Sequence, residues 1–159
     1  MRLSFYSGLL FVLAMPWAEI ALAQDRYVDI VDYPRLGEGW GRYNALHARL
    51  VREFDDVCGD TFCEGQYSNL QSLRFRCSVE RATGYLGQCV WNFAGSEERI
   101  DPVSGHIQVD ARAISCRAPL LPATPVESFY TKLEEARHAI WEPLPGTSES
   151  IYDGLVGCL

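Results

Sequence analysis

Residues 73–80, Leu73-Arg74-Phe75-Arg76-Cys77-Ser78-Val79-Glu80, alternate strictly between apolar and polar side chains. Side chains of an extended chain point to opposite faces with a period of two, so Leu73, Phe75, Cys77 and Val79 belong to one buried face and the segment is a half-buried strand. Thr83-Gly84 supplies a turn after it. A second strand is expected from about Gln88 to Ala94, with Cys89, Trp91 and Phe93 in phase. Asp101-Pro102-Val103-Ser104-Gly105 marks the next turn, and a third strand starts near His106 with Ile107, Val109, Ala111 and Ala113 on one parity. Ile114 and Cys116 fall on the other parity, which predicts a bulge near Ala113. Short turns join the three strands, so the sheet core is an antiparallel meander.

Helical periodicity flanks the meander. Tyr43, Leu46, Leu50, Phe54 and Val57 recur at three- and four-residue steps and predict a helix from about Trp40 to Val57, with His47 at the edge of its stripe. Before it, Gln24 to Gly39 reads as irregular, broken by Pro34, Gly37 and Gly39. After the strands, Thr124-Pro125-Val126-Glu127 reads as a capping box with proline at the first helical position. Val126, Phe129, Tyr130, Leu133, Ala136 and Ile140 form the stripe of that second helix, and Pro143 and Pro145 end it. A last short helix is expected over about Glu149–Val156 with Ser148 as cap. The fold class is therefore α+β: helix, three-stranded meander, helix, short C-terminal helix, with both long helices on one sheet face. Double-stranded RNA-binding domains share this element order, which is an architectural resemblance only.

Compartment follows from the N-terminus and the cysteines. Arg2, an apolar run from Leu9 to Ala14, Pro16 and the triplet Ala21-Leu22-Ala23 form a secretory pattern, with cleavage expected after Ala23. The apolar run is short of the roughly 20 residues a membrane anchor needs, and Glu19 interrupts it. Residues 1–23 are thus expected to be a signal peptide and 24–159 one exported domain, not inserted in a membrane after cleavage. All six cysteines, Cys58, Cys63, Cys77, Cys89, Cys116 and Cys158, lie in the exported part. An even count in an oxidising compartment reads as a disulfide framework. Cys77 and Cys89 are equidistant from Thr83 and share the apolar parity, so they face each other across the hairpin. Cys58 and Cys63 can close the short loop between them, which leaves Cys116 for Cys158. Zinc is disfavoured because only Cys58 and Cys63 are closely spaced.

Charge bounds the partners. The net charge is −7 with a single lysine, Lys132, and cleavage removes Arg2 and Glu19 together, so −7 persists. Such a surface lacks the basic footprint of nucleic-acid binding and favours a cationic partner. The segment from Asp55 to Glu64 gathers Asp55, Asp56, Asp60, Thr61 and Glu64 around Gly59. Hard oxygens in a tight loop can hold calcium, with Asp56, Asp60 and Glu64 the candidates, although the spacing is not that of an EF-hand. The simpler reading, in which Asp60 and Thr61 bond local amides and the other carboxylates are solvated, is preferred. Tyr67, Tyr85 and Leu86 sit in loops or at strand ends, where tyrosines can anchor a partner. His47, His106 and His138 fall on separate segments, and neither Gly-x-Ser-x-Gly nor His-Glu-x-x-His occurs.

Cys58-Gly-Asp-Thr-Phe-Cys63-Glu-Gly, followed by Tyr67-Ser68-Asn69, Cys77 and Cys89, resembles a group of small exported Gram-negative cysteine-containing proteins of unassigned activity. Tyr152-Asp153-Gly154-Leu155 through Cys158-Leu159 belongs to the same pattern, so the resemblance spans most of the exported chain and implies a periplasmic or secreted setting. The sequence reads as a non-catalytic, cofactor-free binding protein whose partner is another protein or a cell-wall component. Its concrete form is an immunity or inhibitor protein that blocks a cationic wall-degrading enzyme. The binding candidates are Asp60, Thr61, Phe62, Glu64, Tyr67 and Tyr85. The rival readings are a metal-dependent hydrolase using the Asp55–Glu64 segment and a structural accessory of an envelope assembly.

Overall fold

A computed structural model describes residues 26–58, 67 and 69–159. The expected signal peptide, and with it the division of the chain at Ala23, lies outside the described residues. Four strands form one antiparallel sheet in the order β1-β2-β3-β4: β1 (Tyr27–Asp29), β2 (Asn69–Glu80), β3 (Tyr85–Ile100) and β4 (Ile107–Arg117). Helices α1 (Trp40–Cys58), α2 (Val126–Glu135) and α3 (Ile151–Val156) complete the α+β fold.

The sheet has one strand more than the expected meander. Tyr27, Val28 and Asp29 pair with Glu80, Val79 and Ser78, inside a segment whose breakers suggested irregular chain. The three-residue strand is too short to show a period, and all three breakers fall after it. An Arg76–Asp29 ion pair at 2.6 Å and an Arg26–Glu80 pair at 2.8 Å fasten it to β2.

Phe75, Cys77 and Val79 of β2 and Cys89, Trp91 and Phe93 of β3 are buried on one face, as their parity requires. Leu73 departs from it and is 47% exposed. The β2–β3 register shifts between Ser72 and Arg74, so Leu73 is the extra residue of a bulge and Ser72 faces inward instead. Buried Ser72 accepts the indole N–H of Trp91 at 3.0 Å, which satisfies a donor that would otherwise be stranded in the core. A second shift, between Ser78 and Val79, leaves Gly87 unpaired. The bulge expected near Ala113 does not exist: β3 and β4 pair without interruption from Val90↔Arg117 to Ile100↔Ile107. The parity of Ile107, Val109, Ala111 and Ala113 is continuous with the outer face, and all four are exposed.

Both long helices cover the inner face. Tyr43, Leu46, Leu50 and Phe54 of α1 and Val126, Phe129, Tyr130 and Leu133 of α2 join the strand residues in one core cluster. Phe54 lies 5.6 Å from Trp91 and 4.9 Å from Phe93, and Phe129 stacks on Phe75 at 6.4 Å. Each such ring contributes roughly 1.5–3 kcal/mol by leaving water. Arg49 of α1 donates to the carbonyls of Leu133 (3.0 Å) and Ala136 (2.6 Å), where α2 ends. A cation there satisfies carbonyls that the helix leaves free. The helix consequently stops at Glu135, earlier than its proline punctuation suggests, and Ala139 and Ile140 enter the core from a short 3-10 turn, Ala139–Trp141.

The expected capping box at Thr124 is replaced by a tertiary contact. Thr124 donates its hydroxyl to Leu121 O (2.7 Å), Pro125 takes the cap position, and Val126 N–H donates to Gly84 O (3.0 Å). Leu86 N–H reciprocates to Thr124 O at 2.8 Å. The start of α2 is thus paired to the β2–β3 turn, where Gly84 has a φ of +70°, a conformation cheap only for glycine. The last helix begins two residues later than expected because Ser150, not Ser148, makes the capping box, accepting from Asp153 N–H while the Asp153 carboxylate accepts from Ser150 N–H.

Cys77 and Cys89 are bridged directly across β2 and β3, with alpha carbons 4.0 Å apart, and Cys116 is bridged to Cys158 at 5.6 Å. The expected Cys58–Cys63 bridge involves Cys63, which lies outside the described residues; Cys58 itself is buried at the end of α1.

Candidate interaction surface

The inner face changes character along β3. Near α1 it is aromatic, but beyond Phe93 it carries Gly95, Glu97 and Arg99, opposite Arg112, Asp110 and Gln108 of β4. Tyr67 closes the aromatic section. Its ring lies against Gly95, where an added Cβ would come within 2.9 Å of the ring. The Arg112 guanidinium stands 4.7 Å over that ring and the hydroxyl donates to Asp110 Oδ2 at 3.3 Å. Burial pushes the Tyr67 hydroxyl above its ordinary pKa, against the opposing charge of Arg112.

Past this plug, β3 and β4 continue as a two-stranded arm. Its outer face presents Ile100 (74% exposed), Ile107 (68%) and Val109 (63%), with Val103 (95%) at the turn. Ala111 and Ala113 extend the apolar strip along β4. Glu98 and Asp101 flank it. Glu98 accepts from Asn69 at 3.1 Å, and Asp101 orders the turn by accepting from the amides of Val103 (2.9 Å) and Ser104 (2.7 Å), which hold its carboxyl below the usual range. Contiguous exposed apolar side chains with a charged rim are the usual signature of a protein-binding surface.

The sequence-derived candidates are distributed differently. Asp60, Thr61, Phe62 and Glu64 lie outside the described residues. Tyr67 is buried as the plug just described. Tyr85, 39% exposed, pairs with Glu80 beside the β2–β3 turn. Ten residues of β3 separate it from Gly95 under Tyr67, on the order of 30 Å, so the two tyrosines do not share a surface. Asp56 is exposed near the end of α1. Among the described residues no three His, Cys, Asp or Glu side chains gather as a metal site. His47 is held below its ordinary pKa chiefly by burial, whereas His106 and His138 are exposed elsewhere.

Sequence pattern alone does not separate the arm from the core. Alternation identifies a two-faced strand but not which face is wet, and the Ile114/Cys116 phase change marked the true inner face. No helix among the described residues is long and apolar enough to cross a membrane, and the Cys77–Cys89 and Cys116–Cys158 bridges are compatible with an oxidising compartment. Comparison with protein-family models, curated proteins and solved structures returns no match.

Proposed function

We propose that the chain is a non-catalytic exported binding protein of the periplasm or extracellular space. In its concrete form it is an immunity or inhibitor protein that blocks a cationic cell-wall-degrading enzyme. The observation that carries the reading is the β3–β4 arm: Ile100, Val103, Ile107 and Val109 exposed together beyond the core, with Glu98 and Asp101 beside them. A disulfide-braced sheet holds the strands rigid, which lowers the ordering cost of association. The acidic rim and the net charge of −7 steer a basic partner towards the arm, and this contribution weakens with salt.

Lysis of a peptidoglycan suspension by a panel of basic muramidases and amidases, with and without the oxidised protein, tests the reading. At least one enzyme is inhibited dose-dependently, more strongly at low salt, and Val109→Asp relieves the inhibition without changing the melting temperature. If the panel shows neither inhibition nor binding at low and at physiological salt, the reading fails.

A further inference from the structure

We propose that the free edge of β4 pairs with β4 of a second copy, antiparallel and centred on Ala111, giving a two-fold dimer with one continuous sheet. The edge itself, rather than the apolar outer face, carries the inference. Two backbone hydrogen bonds bracket the β3–β4 ladder: Asp101 N–H to His106 O (2.9 Å) and Ala118 N–H to Cys89 O (3.0 Å). Register is unbroken between them, and hydrogen-bonded pairs alternate along an antiparallel ladder. From either end, the even-numbered residues of β4 bond inward to β3. Ile107, Val109, Ala111, Ala113 and Ser115 therefore aim their N–H and C=O groups away from the sheet. Among the described residues no backbone hydrogen bond reaches these positions from the open side. Proline, lysine and bulges, the usual guards of such an edge, do not interrupt Ile107–Arg117.

Self-pairing must join odd positions to odd positions, which permits a two-fold axis through any residue of the strand, so the side chains choose among registers. An axis through Asp110 sets that carboxylate against itself, and one through Arg112 does the same to the guanidinium. Only the axis through Ala111 sets the two opposite charges of the strand against each other. It places Asp110 opposite Arg112 of the other copy, twice, on the inner face where the two already lie 3.4 Å apart within one strand. On the outer face it sets Val109 against Ala113 and Ala111 against Ala111, small pairs without a clash. Opposite charges directly across a strand pair stabilise it and like charges destabilise it. The complementarity of the strand to itself, in a register that also has the right hydrogen-bond parity, selects a second copy as the occupant. The dimer leaves the outer apolar strips of both arms exposed side by side.

Sedimentation equilibrium of the oxidised protein tests this, with charge reversals at the axis. Wild type is expected to be a dimer at micromolar concentration. Asp110→Arg and Arg112→Asp each weaken it by at least about tenfold, because two like-charged contacts replace two attractive ones, and the doubly reversed D110R/R112D variant dimerises again. If a single reversal fails to fold, cysteine placement gives an independent readout. Alpha carbons of a hydrogen-bonded pair lie about 5.5 Å apart, within disulfide reach, so Ala111→Cys forms a covalent dimer on oxidation and Ala113→Cys does not. A monomeric wild type, a dimer indifferent to both reversals, no recovery in the doubly reversed protein, or equal cross-linking at both positions each overturns the proposal. A monomer that still inhibits a wall-degrading enzyme would remove the dimer and leave the function reading intact.

Discussion

Ser72 shows how much one hydroxyl can decide. Trp91 is buried among Phe54, Phe75 and Phe93, and its indole N–H finds its acceptor in Ser72 only because a bulge turns Ser72 inward and Leu73 out. Ser72→Ala should destabilise the fold by about 1–3 kcal/mol, the cost of an unsatisfied buried donor. Urea denaturation in wild-type and Trp91→Phe backgrounds checks this. The penalty should shrink when the N–H is gone, and an equal penalty in both backgrounds would mean Ser72 acts through packing alone. The same pair marks the limit of pattern reading. Strict alternation placed Leu73 inside with Phe75, because an extra residue shifts parity without leaving a trace in hydrophobicity.

His47 offers a second residue-scale test. Its ring stacks on Tyr43 at 5.6 Å, with Nε2 buried and, among the described residues, without a hydrogen-bond partner. Burial holds its pKa below the ordinary 6.5; a backbone hydrogen bond at Leu73 opposes the shift, and the charge of Arg74 reinforces it. Between the folded and unfolded pKa values the unfolded chain binds more protons, so stability rises with pH there. The contribution is full above the unfolded value and is lost as pH falls towards the folded one. From about pH 7.5 to about pH 5.5, His47→Phe should lose less stability than wild type by denaturant titration. Parallel pH profiles would show that His47 is solvated enough to be neutral to folding.

Among the elements, α3 depends most on cross-links. Six residues are too few to hold a helix without tertiary support, so Ile151–Val156 relies on buried Ile151 and Leu155, on the Ser150–Asp153 box and on the Cys116–Cys158 bridge. That bridge spans 42 residues of sequence, against 12 for Cys77–Cys89. In the chain-entropy account, loops of these sizes are worth about 4 and about 3 kcal/mol. Replacing Cys116 and Cys158 by alanine should therefore cost more than the same change at Cys77 and Cys89, and it should open the chain after Arg117 to limited proteolysis. An equal or larger loss from the hairpin pair would reverse the ranking. Both pairings were legible, the first from strand parity and the second by elimination. The end of α2 was not, because the carbonyls there are taken by Arg49 from another helix, a contact that no local pattern encodes.

The whole molecule divides into a packed body and a projecting arm. Burial in β3 and β4 extends outward only as far as Phe93, Gly95 under Tyr67, and half-buried Ile114. Beyond them both faces of the arm are largely wet, and among the described residues its side chains make hydrogen bonds to neighbours on the arm, to Asn69 and to Tyr67. If the arm serves recognition rather than folding, it should be removable. Deleting 98–109 and joining Glu97 to Asp110 through Asn-Gly, a dipeptide suited to a two-residue hairpin turn, retains Asp110 for Tyr67 and leaves the aromatic core untouched. At concentrations dilute enough for monomers, the shortened protein should melt within about 5 °C of wild type, the shift expected for a change near 1 kcal/mol. Near-UV circular dichroism should retain the signal of packed Trp91. The same protein should lose inhibition of any wall-degrading enzyme that the full chain blocks, and it should no longer dimerise. A large fall in melting temperature would place part of the core in the arm. Full inhibition by a stable, shortened protein would move the recognition surface away from β3 and β4 altogether.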